Sequence, residues 1–285
     1  MFDGFETKMI ETSIGVIRAR SAGDGPPLLL LHGHPETHVM WHRVAPRLAR
    51  EFTVVASDLT GYGQSCKPEA TADHSPYTKR AMAATQIEVM QSLGHEQFLV
   101  AGHDRGARVG YRMALDHPER VQKLAVLDIV PTSEAFDRAD HAFGMAYWHW
   151  FFLSQPYPFP ERLLEADPRA FYARLMAGYI SDEARADYFQ ALEDPATIHS
   201  ICEDYRAAET TDCALDRADH GKRSISCPLL VLWGERGHLE SLYDVLAIWN
   251  DWADDVRGRA LPCGHHLPEE APDETYGALS SFLRA

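Results

Sequence analysis

The chain has 285 residues, enough for one large domain or a core with an insertion, and 45% of them are apolar, as in an ordinary water-soluble globule. A net charge of −15, from 27 basic and 42 acidic residues, argues against a nucleic-acid partner, and it repels an anionic substrate unless the site carries its own positive charge. No apolar run reaches membrane-helix length, the first residues lack the basic and apolar regions of a secretory signal, and five scattered cysteines show no metal-ligand spacing; a cytoplasmic protein with free thiols, no membrane contact and no metal is expected.

In chain order, residues 9–20 read as one or two strands. Residues 26–31, Pro-Pro-Leu-Leu-Leu-Leu, read as a strand buried on both sheet faces, ending in the tight loop His32-Gly33-His34-Pro35. A helix over 40–50, a buried strand over 52–57 and a long helix over 77–93 follow. The apolar run 97–101 then leads through Gly102-His103-Asp104-Arg105-Gly106 into a helical pattern over 107–116, stopped by His117-Pro118. The strand 123–128 closes this alternation, which predicts a doubly wound, mostly parallel α/β sheet. Between 131 and 223 no buried strand is evident, and helix-like segments lie at 143–153, 171–179 and 184–192. This stretch reads as a helical cap inserted into a core made of residues 1–130 and 224–285. A strand at 228–233, a helix at 242–252, a strand at 256–261 and a closing helix at 272–283 complete the core.

Gly102 and Gly106 lie two residues either side of Asp104. That spacing marks a nucleophile elbow, a sharp strand-to-helix turn in which a Cβ at either glycine would clash. The raised side chain is a carboxylate, already ionised at neutral pH. It can displace a leaving group from saturated carbon and form an alkyl ester, which points to carbon–halogen or epoxide hydrolysis rather than ester hydrolysis. The plainer alternative is an Asp that only caps the following helix.

A late His should activate the water that cleaves this ester. His265, just beyond the last strand, is the candidate, with His266 as competitor. The orienting acid is Asp128, at the end of the strand before the cap, because the loop after Trp233 (Gly-Glu-Arg-Gly-His) has no Asp. The backbone N–H groups of Arg105 and His34 would form the oxyanion hole. Arg105 and Arg108 sit at the start of the elbow helix, where an Arg fork could hold a substrate carboxylate. A halocarboxylate needs such help: two unit charges about 4 Å apart repel by ~4 kcal/mol at an effective dielectric near 20. Solvated surface arginines are the plainer alternative.

These residues identify a family. The segments His-Gly-His-Pro-Glu-Thr-His-Val-Met-Trp at 32–41, Gly-His-Asp-Arg-Gly-Ala-Arg-Val at 102–109, Ala-Val-Leu-Asp-Ile-Val-Pro-Thr at 125–132, Tyr-Trp-His-Trp at 147–150, Cys-Glu-Asp-Tyr-Arg-Ala at 202–207 and Gly-His-His-Leu-Pro-Glu-Glu-Ala-Pro at 264–272 resemble those of the fluoroacetate and haloacetate dehalogenases of the α/β-hydrolase superfamily. The resemblance spans nearly the whole chain. It implies an α/β-hydrolase fold, Asp104 as nucleophile, Asp128 as acid, His265 as base, Arg105 and Arg108 on the substrate carboxylate, and His149, Trp150 and Tyr205 as hydrogen-bond donors to the departing halide. It also implies a homodimer, no cofactor, and a small anionic halocarboxylate as substrate. The chain departs from the family in carrying His34 and His266 where Phe is usual, and Tyr179 near where a Trp is expected, in a segment around 176–185 that reads as short. Epoxide hydrolysis by the same triad is the alternative activity, with Tyr147, Tyr172, Tyr179 and Tyr205 as candidate proton donors; a hydrolase fold retained as a ligand receptor is a third.

Overall fold

A computed structural model describes residues 1–176 and 180–285. The expectations placed on Tyr179 therefore fall outside the described residues. Eight strands form one sheet: β1 (Glu6–Thr12), β2 (Gly15–Ala22), β3 (Pro27–Leu31), β4 (Thr53–Ser57), β5 (Phe98–His103), β6 (Val121–Leu127), β7 (Leu229–Gly234) and β8 (Val256–Leu261). Their order is β1-β2-β4-β3-β5-β6-β7-β8. The β1–β2 hairpin pairs antiparallel internally and onto β4, and every other pairing is parallel. Parallel strands covered on both faces must be apolar throughout. Accordingly Leu28 to Leu31 and all of β5 are buried.

Short helices follow the first strands. A 3-10 turn, His38–Trp41, precedes α1 (Ala45–Leu48), and α2 (Lys79–Ser92) comes after β4. The continuous helix expected over 40–50 is thus split; Pro46, in the first turn of α1, has no N–H for a preceding helical turn. The elbow helix α3 (Asp104–Asp116) starts three residues before the periodic pattern does. Its first turn is set by the elbow geometry rather than by an apolar stripe.

Between β6 and β7 the chain is helical: α4 (Thr132–Asp137), α5 (His141–Ala146), α6 (Trp148–Leu153), α7 (Phe159–Ala166), α8 (Pro168–Leu175), α9 (Asp182–Leu192), α10 (Pro195–Ala207), a π-helical turn Ala208–Asp212 and α11 (Cys213–Asp219). The expected helix 143–153 is broken at Tyr147, whose φ of −114° and ψ of 33° leave the helical region. After β7 come α12 (Leu239–Leu242) and α13 (Val245–Asn250), where one helix was expected; the Asp244 carboxylate caps α13 by accepting from Ala247 N at 3.1 Å. α14 (Leu267–Glu270) and α15 (Pro272–Arg284) close the chain. Among the described residues no helix is long and apolar enough to cross a membrane, and the five cysteines are free thiols.

From β3 the chain goes to β4 on one side, then crosses over to β5 on the other. The carboxyl ends of β3 and β5 therefore flank a topological switch point, the place where open α/β sheets bind ligands. Loop 32–35 and the elbow both emerge there.

Candidate active site

The elbow is as tight as the sequence implies. A Cβ on Gly102 would lie 2.5 Å from Gly106 O, and one on Gly106 would lie 2.4 Å from His32 O. Gly33 is equally constrained, because a Cβ there would meet Asp104 Cβ at 2.7 Å. Asp104 has φ of +42°, a strained angle for a residue with a side chain. It does not cap α3, which starts at Asp104 itself with His103 at the cap position.

Asp104 is buried, and its Oδ2 accepts from His34 N at 3.2 Å. Burial opposes its charge. The charges of His265, Arg108, Arg105 and His103 outweigh this and hold its carboxyl well below the usual range.

His265, not its neighbour, meets Asp128. Its Nδ1 donates to Asp128 Oδ2 at 2.6 Å, while Gly234 N donates to Asp128 Oδ1 at 2.8 Å and fixes the carboxylate. Asp128 follows β6 with φ of +56°, so the chain turns sharply to present this side chain. His266 faces the other way and donates from Nδ1 to Glu36 Oε1 at 2.9 Å. Glu36 also accepts from His103 Nδ1 at 3.2 Å, and His103 Nε2 donates to the His265 carbonyl at 2.7 Å. Both nitrogens of His103 and of His266 thus face acceptors, the second nitrogen of His266 being 3.4 Å from Leu175 O in α8. Burial works against the His266 charge, but the hydrogen bond and charge of Glu36 push its pKa up to about 9. Glu269 packs against the same group, and burial beside Glu36 raises its carboxyl to about 8. Glu36, His266 and Glu269 bring three ligand-type atoms within 4.8 Å of one another, the one such grouping among the described residues. Here Glu36 accepts from His266, and Glu269 Oε1 accepts from the Tyr188 hydroxyl at 3.2 Å, while Glu269 Oε2 lacks a partner among the described residues.

Arg105 and Arg108 differ. Arg105 is fully buried; its Nε donates to Asp204 Oδ2 at 3.0 Å and its Nη2 to the Asp204 carbonyl at 2.9 Å and to Oδ1. Lys79 and the Tyr62 hydroxyl also bond Asp204. Of the Arg105 nitrogens, Nη1 alone lacks a partner among the described residues. Arg108 donates from Nη1 to Val130 O and Thr132 Oγ1, each at 3.1 Å, and its guanidinium lies 4.6 Å from the Trp150 ring centre. Asp204 was not legible as a partner. The signal that could have found its helix is Asp194-Pro195, a helix-start pair: Asp194 caps α10 by accepting from Ala196 N at 3.0 Å.

A cavity of about 670 Å³ opens over the elbow, lined among others by His34, Asp104, Asp128, Tyr147, His149, Trp150, Arg236, His238 and His265. An inner recess of about 20 Å³ continues to Asp104, Arg108, Trp150 and His265. His149, Trp150 and Tyr205 come together in one aromatic cluster: the Tyr205 ring centre lies 6.0 Å from His149 and 6.2 Å from Trp150. His149 is neutral, because burial takes its pKa down to about 4. The Tyr205 phenol is also kept protonated by burial.

The sheet order, the elbow and the insertion between β6 and β7 define an α/β hydrolase. The sequence profile of the alpha/beta hydrolase fold matches residues 26–272. A crystal structure described as an alpha/beta hydrolase from Nostoc sp PCC 7120 superposes with a TM-score of 0.96 at 53% identity, covering 99% of both chains. A fluoroacetate dehalogenase from a Burkholderia species is 46% identical over 99% of this chain and 95% of its own, and a soluble epoxide hydrolase from Corynebacterium sp. strain C12 is 32% identical over 92% of each. The chain belongs to the fluoroacetate and haloacetate dehalogenase family of the α/β-hydrolase superfamily.

Proposed function

We propose that the protein hydrolyses the carbon–halogen bond of short 2-halocarboxylates of the haloacetate type, giving the 2-hydroxy acid and halide through an ester on Asp104. The observation that carries this is the ionised Asp104 on its elbow, sharing a recess with Arg108, whose direct partners are uncharged. An anionic substrate approaching a carboxylate nucleophile needs such a counter-charge.

In the first step an Asp104 carboxylate oxygen attacks the substrate α-carbon. The new carbon–oxygen bond forms as the carbon–halogen bond breaks, its electron pair leaving with the halide and the carbon inverting. Arg108 and the free Nη1 of Arg105 hold the substrate carboxylate. His149, Trp150 and Tyr205 donate to the halide as its charge develops. In the second step His265, oriented through Nδ1 by Asp128, takes a proton from water, and the hydroxide attacks the Asp104 carboxyl carbon. The oxyanion is held by the N–H groups of His34 and Arg105; on its collapse the ester C–O bond breaks, the departing alkoxide takes the proton from His265 to give the hydroxy acid, and the Asp104 carboxyl loses its proton to solvent. The helices between β6 and β7 serve as the cap that closes the pocket.

Halide release from fluoro-, chloro- and bromoacetate, run beside a panel of epoxides, tests the activity. A single turnover in heavy-oxygen water tests the route: label should enter Asp104, and the first product should carry ordinary oxygen. Label passing directly into that product would end the ester route. Epoxide hydrolysis is the second reading, favoured by the Corynebacterium relative and by Tyr147 on the cavity wall. Turnover of epoxides without halide release from any haloacetate would install it instead.

A further inference from the structure

We infer that His34 is a halide-contacting residue, its imidazole N–H adding a fourth donor to the group that receives the leaving halide and so setting halogen preference. The inference rests on the dehalogenase reading above. The backbone N–H of His34 is already committed to Asp104 Oδ2 at 3.2 Å, which pins the residue at the nucleophile. Its side chain is a separate matter. The ring is 5% exposed and lines the cavity, yet neither Nδ1 nor Nε2 has a partner among the described residues. Buried polar atoms in native proteins are nearly always bonded, to protein, water or ligand. Two vacant nitrogens on one buried ring at a nucleophile therefore mark a ligand position.

The surroundings say which part of the substrate faces the ring. His34 lies parallel to His149, with ring centres 6.3 Å apart and planes at 14°, and edge-on to Tyr205 at 5.2 Å and Tyr172 at 5.3 Å. It does not hydrogen-bond to His149, whose own Nδ1 also lacks a partner among the described residues. Two of its neighbours are thus proposed halide donors. Arg108 lies elsewhere, on the inner recess that His34 does not line. His34 shares the larger cavity with His149 and Trp150 and packs edge-on against Tyr205, which places it among the proposed halide donors. Burial takes the imidazole down to about 3, so at neutral pH it is uncharged and offers one N–H. A phenyl ring at this position would supply packing and no donor.

Fluoride is small and hard, so its departure depends on direct hydrogen bonds more than that of bromide does. The test compares wild type with His34→Phe and His34→Gln on fluoro-, chloro- and bromoacetate, reading the single-turnover rate of halide loss, inhibition by free halide, and the melting temperature. Removing one such donor is expected to slow fluoride loss by roughly tenfold to a hundredfold and bromide loss by less than about threefold. The inhibition constant for fluoride should rise and that for bromide stay put. Glutamine, which restores an N–H, should recover part of the fluoride rate. Equal losses for all three halogens in a folded His34→Phe variant, or no loss, would reduce His34 to a packing residue while leaving the dehalogenase reading intact. A wild-type enzyme silent on all three substrates would remove that reading, and this inference with it.

Discussion

Arg105 and Arg108 are three residues apart on one helix, yet their charges are differently placed. The fork of Arg105 is closed on Asp204, and Lys79 shares the same carboxylate. Arg108 donates to a carbonyl and a hydroxyl and faces the Trp150 ring, and among the described residues no carboxylate pairs with its charge. Arg108→Met should therefore raise KM for haloacetate by roughly tenfold to a hundredfold, the equivalent of a charge-assisted hydrogen bond worth ~1.5–3 kcal/mol, with kcat changed less. Arg105→Met should act mainly on stability, since it strands Asp204 and Lys79 in the interior. Steady-state kinetics and thermal melts of both variants separate the two effects, and an unchanged KM in Arg108→Met would end the clamp assignment. The sequence permits half of this distinction. A nucleophile between two glycines is a local pattern, and both arginines sit within it. Asp204 lies 99 residues from Arg105, and nothing in the elbow specifies a carboxylate contributed by another helix.

At the scale of elements, the strands were readable because burial on both faces leaves continuous apolar runs, as in β3 and β5. The helices between β6 and β7 were less so. α10 carries Asp204, Glu203 and Arg206 inside the protein, and buried charge erases the apolar stripe by which a helix is recognised. The same physics hid the group that joins loop 32–36, β5 and α14: Glu36, His103, His266 and Glu269. Its titration makes a prediction. His266 has a folded pKa raised from 6.5 to about 9, so the stability it contributes is complete below pH 6.5 and is lost as pH rises through 9. Glu269 is raised from 4.5 to about 8, so its contribution is complete below pH 4.5 and is lost as pH rises through 8. Glu36 is depressed, and its contribution, present above pH 4.5, disappears only in acid. The melting temperature should fall between pH 6.5 and 9, with the His266 part alone worth roughly 3 kcal/mol. Glu269→Gln removes one titrating member and should flatten the slope up to pH 8. Scanning calorimetry across that range measures both, and parallel slopes in the two proteins would mean that these groups do not govern alkaline stability.

For the whole molecule, the net charge is negative, whereas the proposed site holds a buried cation, Arg108, beside Asp104. A net charge of −15 repels an anion in solution, while Arg108, the proposed carboxylate partner, is only 3% exposed. Salt screens these two interactions unequally. The Debye length shrinks from about 30 Å at 0.01 M to about 8 Å at 0.15 M, which removes most of the long-range repulsion and little of a buried interaction. Raising ionic strength with sodium sulfate, which adds no competing halide, should therefore increase kcat/KM for chloroacetate by a few-fold, on the order of the steering effects seen in charged clefts. kcat should be unaffected, because the bound substrate is buried where salt screens little. Chloroacetamide, the neutral isostere, should show no salt dependence. A kcat/KM that falls with salt would mean that Arg236, an exposed cation on the cavity lining, overcomes the net charge and draws the substrate in.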